Sequence, residues 1–118
     1  MKFKILLYIL GRKIKSKLKK DSEFKKKIAE KNCTVQIKTD DNSSGRYYTF
    51  KDGNLTTGSG VSPNADASLV WANAKIAYKV LASGSQDKSM KALQDGSLKF
   101  EGDGTTVLWF TDVAKKSK

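Results

Sequence analysis

Large apolar side chains recur every three or four residues through positions 1–31, and mostly at every second residue in the segments that follow. That change of period predicts a helical start to the chain and a sheet after it. In the first stretch Phe3, Leu6, Leu7, Leu10, Ile14 and Leu18 form one helical stripe with lysines around it. A second helix is predicted from Asp21 and Ser22 to Lys31, opened by Asp-Ser capping chemistry and carrying Phe24 and Ile28 as its apolar pair.

From residue 34 to 39 Val35 and Ile37 alternate with Gln36 and Lys38, a first strand. Dense turn chemistry at 40–45 leads to a second strand at 46–51, with Tyr48 and Phe50 on one face and Tyr47 and Thr49 on the other. Asp52-Gly53 is a hairpin turn, and the third strand, 54–60, has Leu55 as its only large apolar residue. Pro63 marks a connection. A fourth strand at 66–71 sets Leu69 and Trp71 opposite Val70. Helices follow at 73–82, presenting Ile76, Ala77, Val80 and Leu81, and at 87–93, presenting Met90 and Leu93. Gly96 and Gly102 bracket a fifth strand in which Leu98 and Phe100 share a face. Asp103 then caps a last helix, 104–114, with Val107, Phe110 and Ala114 at helical spacing. This order predicts an α+β fold: a five-stranded, mostly antiparallel sheet with helices covering one face.

The 118 residues suffice for a single compact domain, read as a basic helical region (1–31) and a sheet-bearing domain (32–118). Charge separates the two. Residues 1–31 hold twelve Lys and Arg against three acids, whereas the remainder holds eleven against nine. The chain has no histidine and a single cysteine, Cys33, which excludes His-based triads, His-containing zinc motifs and an internal disulfide. Asp66, Glu101 and Asp103 are the only carboxylates at motif positions, and turn and cap duty accounts for Asp66 and Asp103. The expectation is a protein that is not an enzyme and needs no cofactor or metal.

The apolar run from Ile5 to Leu10 is six residues long. A signal-peptide core takes about 7–15 and a membrane span about 20, so the segment reads as retained and the protein as cytoplasmic. Two readings of the basic helix stand side by side. It packs on the sheet with its lysines in solvent, or it lies on an anionic membrane surface. In the second reading Lys2, Phe3, Lys4, Leu7, Tyr8, Arg12, Lys13, Lys15, Lys17, Lys19 and Lys20 make the contact, each lysine adding about 1 kcal/mol. Stacking aromatics are not interleaved with the lysines, so no specific nucleic-acid recognition is expected.

Pro63-x-x-Asp66-Ala67-Ser68-Leu69, then Gly84, then Gly96-Ser97-Leu98-Lys99-Phe100-Glu101-Gly102-Asp103 occur in this order. Together with the element order they resemble the sterol carrier protein 2 (SCP2) domain family over about residues 32–118. The resemblance implies a non-enzymatic lipid binder with an apolar tunnel between sheet and helices, taking sterols, fatty acids, acyl or isoprenoid chains. Its wall would be Val35, Ile37, Tyr48, Phe50, Leu69, Trp71, Ile76, Val80, Leu81, Met90, Leu93 and Phe100, and its lid Val107, Leu108, Trp109 and Phe110. The same residues also suit a filled core, since periodicity marks burial and not a cavity. A protein–protein accessory module with a solid core, recruited by its basic helices, is the alternative.

Overall fold

The computed structural model describes residues 2–117. Ten elements follow one another: α1 (Lys2–Lys20), α2 (Ser22–Ala29), β1 (Cys33–Thr39), β2 (Gly45–Lys51), β3 (Asn54–Ser59), β4 (Ala67–Trp71), α3 (Ala74–Ser83), α4 (Gln86–Asp95), β5 (Leu98–Gly102) and α5 (Gly104–Lys116). Every predicted element is present, with ends moved by no more than two residues. The strands form one mixed sheet in the order β3-β2-β1-β4-β5. All neighbours are antiparallel except β1 and β4, which run parallel with Ile37 opposite Leu69. The α+β architecture with a mostly antiparallel sheet is as the sequence predicts.

One face of the sheet presents Val35, Ile37, Tyr48, Phe50, Leu69 and Trp71, all buried. Helices α1, α2, α3 and α5 cover it, α1 over β2 and β3, and α5 over β1, β4 and β5. The opposite face is more polar. There the Gln36 carboxamide donates to Ser68 Oγ at 2.9 Å and accepts from the Ser62 amide at 2.9 Å. These bonds satisfy a buried side chain and fix the connection that follows β3.

Helix α1 belongs to the core. Phe3, Leu7, Gly11 and Ile14 are its buried positions, spaced three or four apart. At Gly11 the helix comes so near the sheet that an added Cβ would lie 3.2 Å from Thr57 Cγ2 and 3.5 Å from the Tyr48 ring. The Tyr48 hydroxyl donates to the Leu7 carbonyl at 2.7 Å within this contact. Asp21 ends α1 and starts α2, accepting from the amides of Glu23 and Phe24. Lys17 donates to the Lys116 carbonyl, and Lys27 pairs with Asp112 at 2.7 Å, so both N-terminal helices are tied to α5.

The two segments that carry the family resemblance meet in space. The Asp66 amide donates to the Thr34 carbonyl and the Asp66 carboxylate accepts from the Thr34 amide, both at 2.7 Å. The Asp66 carbonyl accepts from the Asp103 amide at 3.0 Å. Gly102 has φ +84, and a Cβ there would sit 2.3 Å from the Asp66 carbonyl oxygen. Only glycine fits that crossing. Asp103 then caps α5, accepting from the Thr105 amide and from the Thr105 and Thr106 hydroxyls.

Candidate functional site

The candidate site is the apolar interface between the sheet and α5. Its centre is aromatic. Tyr48 and Phe110 lie 5.3 Å apart between ring centroids, Phe50 and Phe110 6.0 Å, and Phe50 meets Trp109 edge-on at 5.0 Å. Tilted and edge-to-face contacts of this kind are the arrangements aromatic rings favour over a face-to-face stack. Val35, Ile37, Leu69, Trp71, Val107 and Phe110 are buried with Tyr48 and Phe50 in one cluster, and Ile76, Val80, Leu81, Leu93 and Trp109 pack partly buried against it.

Two polar atoms lie in this cluster without a hydrogen-bond acceptor among the described residues: the indole Nε1 atoms of Trp71 and Trp109, both shielded from solvent. A buried donor left unpaired is unfavourable by about 1–3 kcal/mol, so such atoms ordinarily meet an acceptor. Burial raises the Tyr48 phenol above its usual range, and its proton stays on the bond to Leu7. Cys33 is buried at the start of β1, and desolvation, reinforced by the Asp66 charge, pushes its thiol up to about 11. It is no nucleophile at neutral pH.

Two residues assigned to the tunnel, Met90 and Leu108, lie outside it, and a third, Phe100, stands on the same sheet face as Leu69 but at its exposed edge. Met90 is 55% exposed because α4 turns Ser89, Ala92 and Leu93 inward and leaves Met90 on its outer side. Leu108 is 65% exposed, falling between the inward-facing Val107 and Phe110 on the far side of α5. Phe100 is 37% exposed on β5, an edge strand with a neighbour on one side only. On α1 the structure separates the expected membrane contacts. Lys2, Lys4, Tyr8, Arg12, Lys13, Lys15, Lys19 and Lys20 are exposed, while Phe3 and Leu7 are buried against the sheet and cannot face a bilayer in this conformation. Lys17 is half-buried and turned toward α5.

No protein-family model matches the sequence, and no curated protein matches it significantly. The fold is widely shared among solved structures. A protein titled UbiJ-SCP2 ubiquinone synthesis protein superposes with a TM-score of 0.66 at 13% identity, covering 93% of this chain and 85% of that one. This is the fold of sterol carrier protein 2 domains. Sterol carrier protein 2 from Yarrowia lipolytica has it too, with a TM-score of 0.60 at 17% identity over 92% of this chain and 89% of its own. The sec-alkyl sulfatase PisA1 (a double mutant) contains it as a part, with a TM-score of 0.59 at 21% identity, 75% of this chain matching 14% of that enzyme.

The outer side of α1 carries exposed apolar side chains. Ile5, Tyr8 and Ile9, at 57%, 46% and 41% exposure, stand together on the solvent side, one turn before Arg12 and Lys13. Sequence reasoning followed the Phe3–Leu7–Ile14 stripe and missed Ile5 and Ile9. The signal was there, since Ile5, Tyr8 and Ile9 are themselves spaced i, i+3, i+4. Arg12 and Arg46 both stand over the Tyr8 ring, at 5.9 and 5.2 Å from its centroid. No helix among the described residues is long and apolar enough to cross a membrane.

Proposed function

We infer that this protein binds an apolar lipid at the interface between sheet and α5, without catalysis, and meets a membrane through the outer side of α1. The observation that carries the reading is the pair of shielded, unpaired indole N–H groups of Trp71 and Trp109 within an apolar cluster. A lipid whose chain lies against Phe50 and Phe110 and whose carbonyl, ester or hydroxyl oxygen accepts from one of the indoles would satisfy both the apolar wall and that donor. The shared fold with sterol carrier protein 2 supports the same reading. Affinity comes mainly from chain burial, at about 0.8 kcal/mol per methylene. The interface is closely packed, with Val35, Tyr48 and Val107 fully buried, so a chain enters as α5 shifts from the sheet.

For the membrane contact, the support is the exposed Ile5, Tyr8 and Ile9 beside Lys2, Lys4, Arg12 and Lys13. Apolar side chains flanked by cations on one side of a helix suit the headgroup boundary of a bilayer.

The test is uptake of a fluorescent fatty acid or sterol by the delipidated protein, with native mass spectrometry of the purified protein for a retained lipid. Trp71→Phe, which keeps an aromatic ring and removes the donor, should weaken uptake, and Phe110→Ala should weaken it further. A folded protein that takes up no apolar probe overturns the reading. The close packing would then favour a solid-core module that docks partners through α1.

A further inference from the structure

Six of the ten lysines of the two N-terminal helices fall into two groups near the junction of α1 and α2. Lys17 and Lys27 have partners on α5, the Lys116 carbonyl and the Asp112 carboxylate. Lys15, Lys19, Lys20 and Lys25 are exposed and have neither a carboxylate nor a hydrogen-bond partner among the described residues. These four stand around a single open trough of about 700 Å³ between the end of α1, the start of α2 and the β2–β3 turn. No acidic side chain lines it. Its apolar part is Leu18 and Leu55.

The geometry points to this trough as a binding site for the phosphate of an anionic lipid headgroup. Four ammonium groups around one opening, with no carboxylate among the residues that line it, repel one another, and a concave wall concentrates their field. A multiply charged anion relieves that repulsion. The carbon surface of Leu18 and Leu55 among the cations fits an amphiphile, whose glycerol and first methylenes need apolar contact. The trough also continues the exposed side of α1 that carries Ile5, Tyr8 and Ile9. Single-stranded nucleic acid would want open aromatic faces, and none lines the trough. The inference rests on the membrane contact read above but not on a lipid inside the core.

Binding to phosphatidylcholine vesicles with and without phosphatidic acid tests it. Each lysine near an anionic surface is worth about a fivefold factor, so Lys20→Gln with Lys25→Gln should weaken binding roughly twenty-fivefold. An equal charge change far from the trough, Lys88→Gln with Lys91→Gln on α4, should leave binding nearly unchanged. All four positions are exposed, and thermal melts check that the variants fold. Equal losses in the two pairs mean diffuse attraction and overturn the site. So does lysine-dependent binding of inorganic phosphate, or of a single-stranded RNA, by a protein that ignores the vesicles. If Ile5→Ser with Ile9→Ser abolishes vesicle binding and the trough pair changes nothing, the membrane contact stands and the trough does not. Failure of apolar-probe uptake bears on neither outcome.

Discussion

The Tyr48 hydroxyl donates to the main-chain carbonyl of Leu7 across 2.7 Å, inside the contact between β2 and α1. Forty-one residues separate them, and the bond joins the basic N-terminal helix to the centre of the sheet. Tyr48→Phe removes it while keeping the ring against Phe110. The Leu7 carbonyl retains its intrahelical bond, so the expected loss is about 1 kcal/mol in urea unfolding. Tyr48→Ala, which also empties the ring's place, should lose about 3–5 kcal/mol.

Removal of residues 1–20 should unfold the protein. The deletion takes Phe3, Leu7 and Ile14 out of the core and uncovers β2 and β3. Circular dichroism of the shortened chain should show no cooperative thermal transition. A cooperative transition would mean that the sheet and the other helices stand alone.

Gly102→Ala should destabilise by more than about 2 kcal/mol, because φ is +84 and the new Cβ would run into the Asp66 carbonyl. Gly104→Ala, two residues on, meets nothing within 4 Å and sits at the first position of α5. That variant should be unchanged or slightly more stable. Thermal melts of the two side by side separate the effect of the crossing from that of glycine content.

Acid should loosen the structure through Asp103 and Asp41. Hydrogen bonds from Thr105 and Thr106 hold the Asp103 carboxyl below its usual range, and those from Ser43 and Thr39 lower Asp41 to about 2. For a carboxyl lowered on folding, the stabilisation is complete above the unfolded value near pH 4 and is lost as pH falls through the folded value. Melting temperature should therefore drop between about pH 4 and pH 2. Asp103→Asn with Asp41→Asn should reduce that drop, part of which remains with Asp95 and Asp112, and an unchanged slope would exclude Asp103 and Asp41 as its source.

The ten elements were legible because period and turn chemistry are local. Asp52-Gly53 and the caps Asp21 and Asp103 are marked by the sequence alone, whereas Asn73 and Ser85 show as caps only in the structure. What covers each face was not legible. Of the two readings of α1, the one that packs it on the sheet with its lysines in solvent is the one the structure bears out, while the apolar stripe concealed Ile5 and Ile9 on the outside. Met90 and Leu108 sit one position from inward residues, an angle that depends on how each helix is rotated against the sheet. The lysine trough joins residues 15–25 with a turn at 53–55, a proximity set by packing. The parallel placement of β4 beside β1 is likewise a tertiary choice, which the strand patterns leave open.

That placement has a consequence for how the chain folds. Pairing of β1 with β2, and of β2 with β3, closes short turns. Pairing of β1 with β4 must close a loop that contains both other strands, since Thr34 and Asp66 are 32 residues apart. The entropy lost in closing a loop grows with its length, and chains rich in distant contacts fold slowly. The β1–β2–β3 meander can thus form early on its own turns, whereas the Asp66 contact joins Thr34 to Asp103 only once β4 has arrived. The segments that carry the sequence resemblance therefore meet only after the meander has formed.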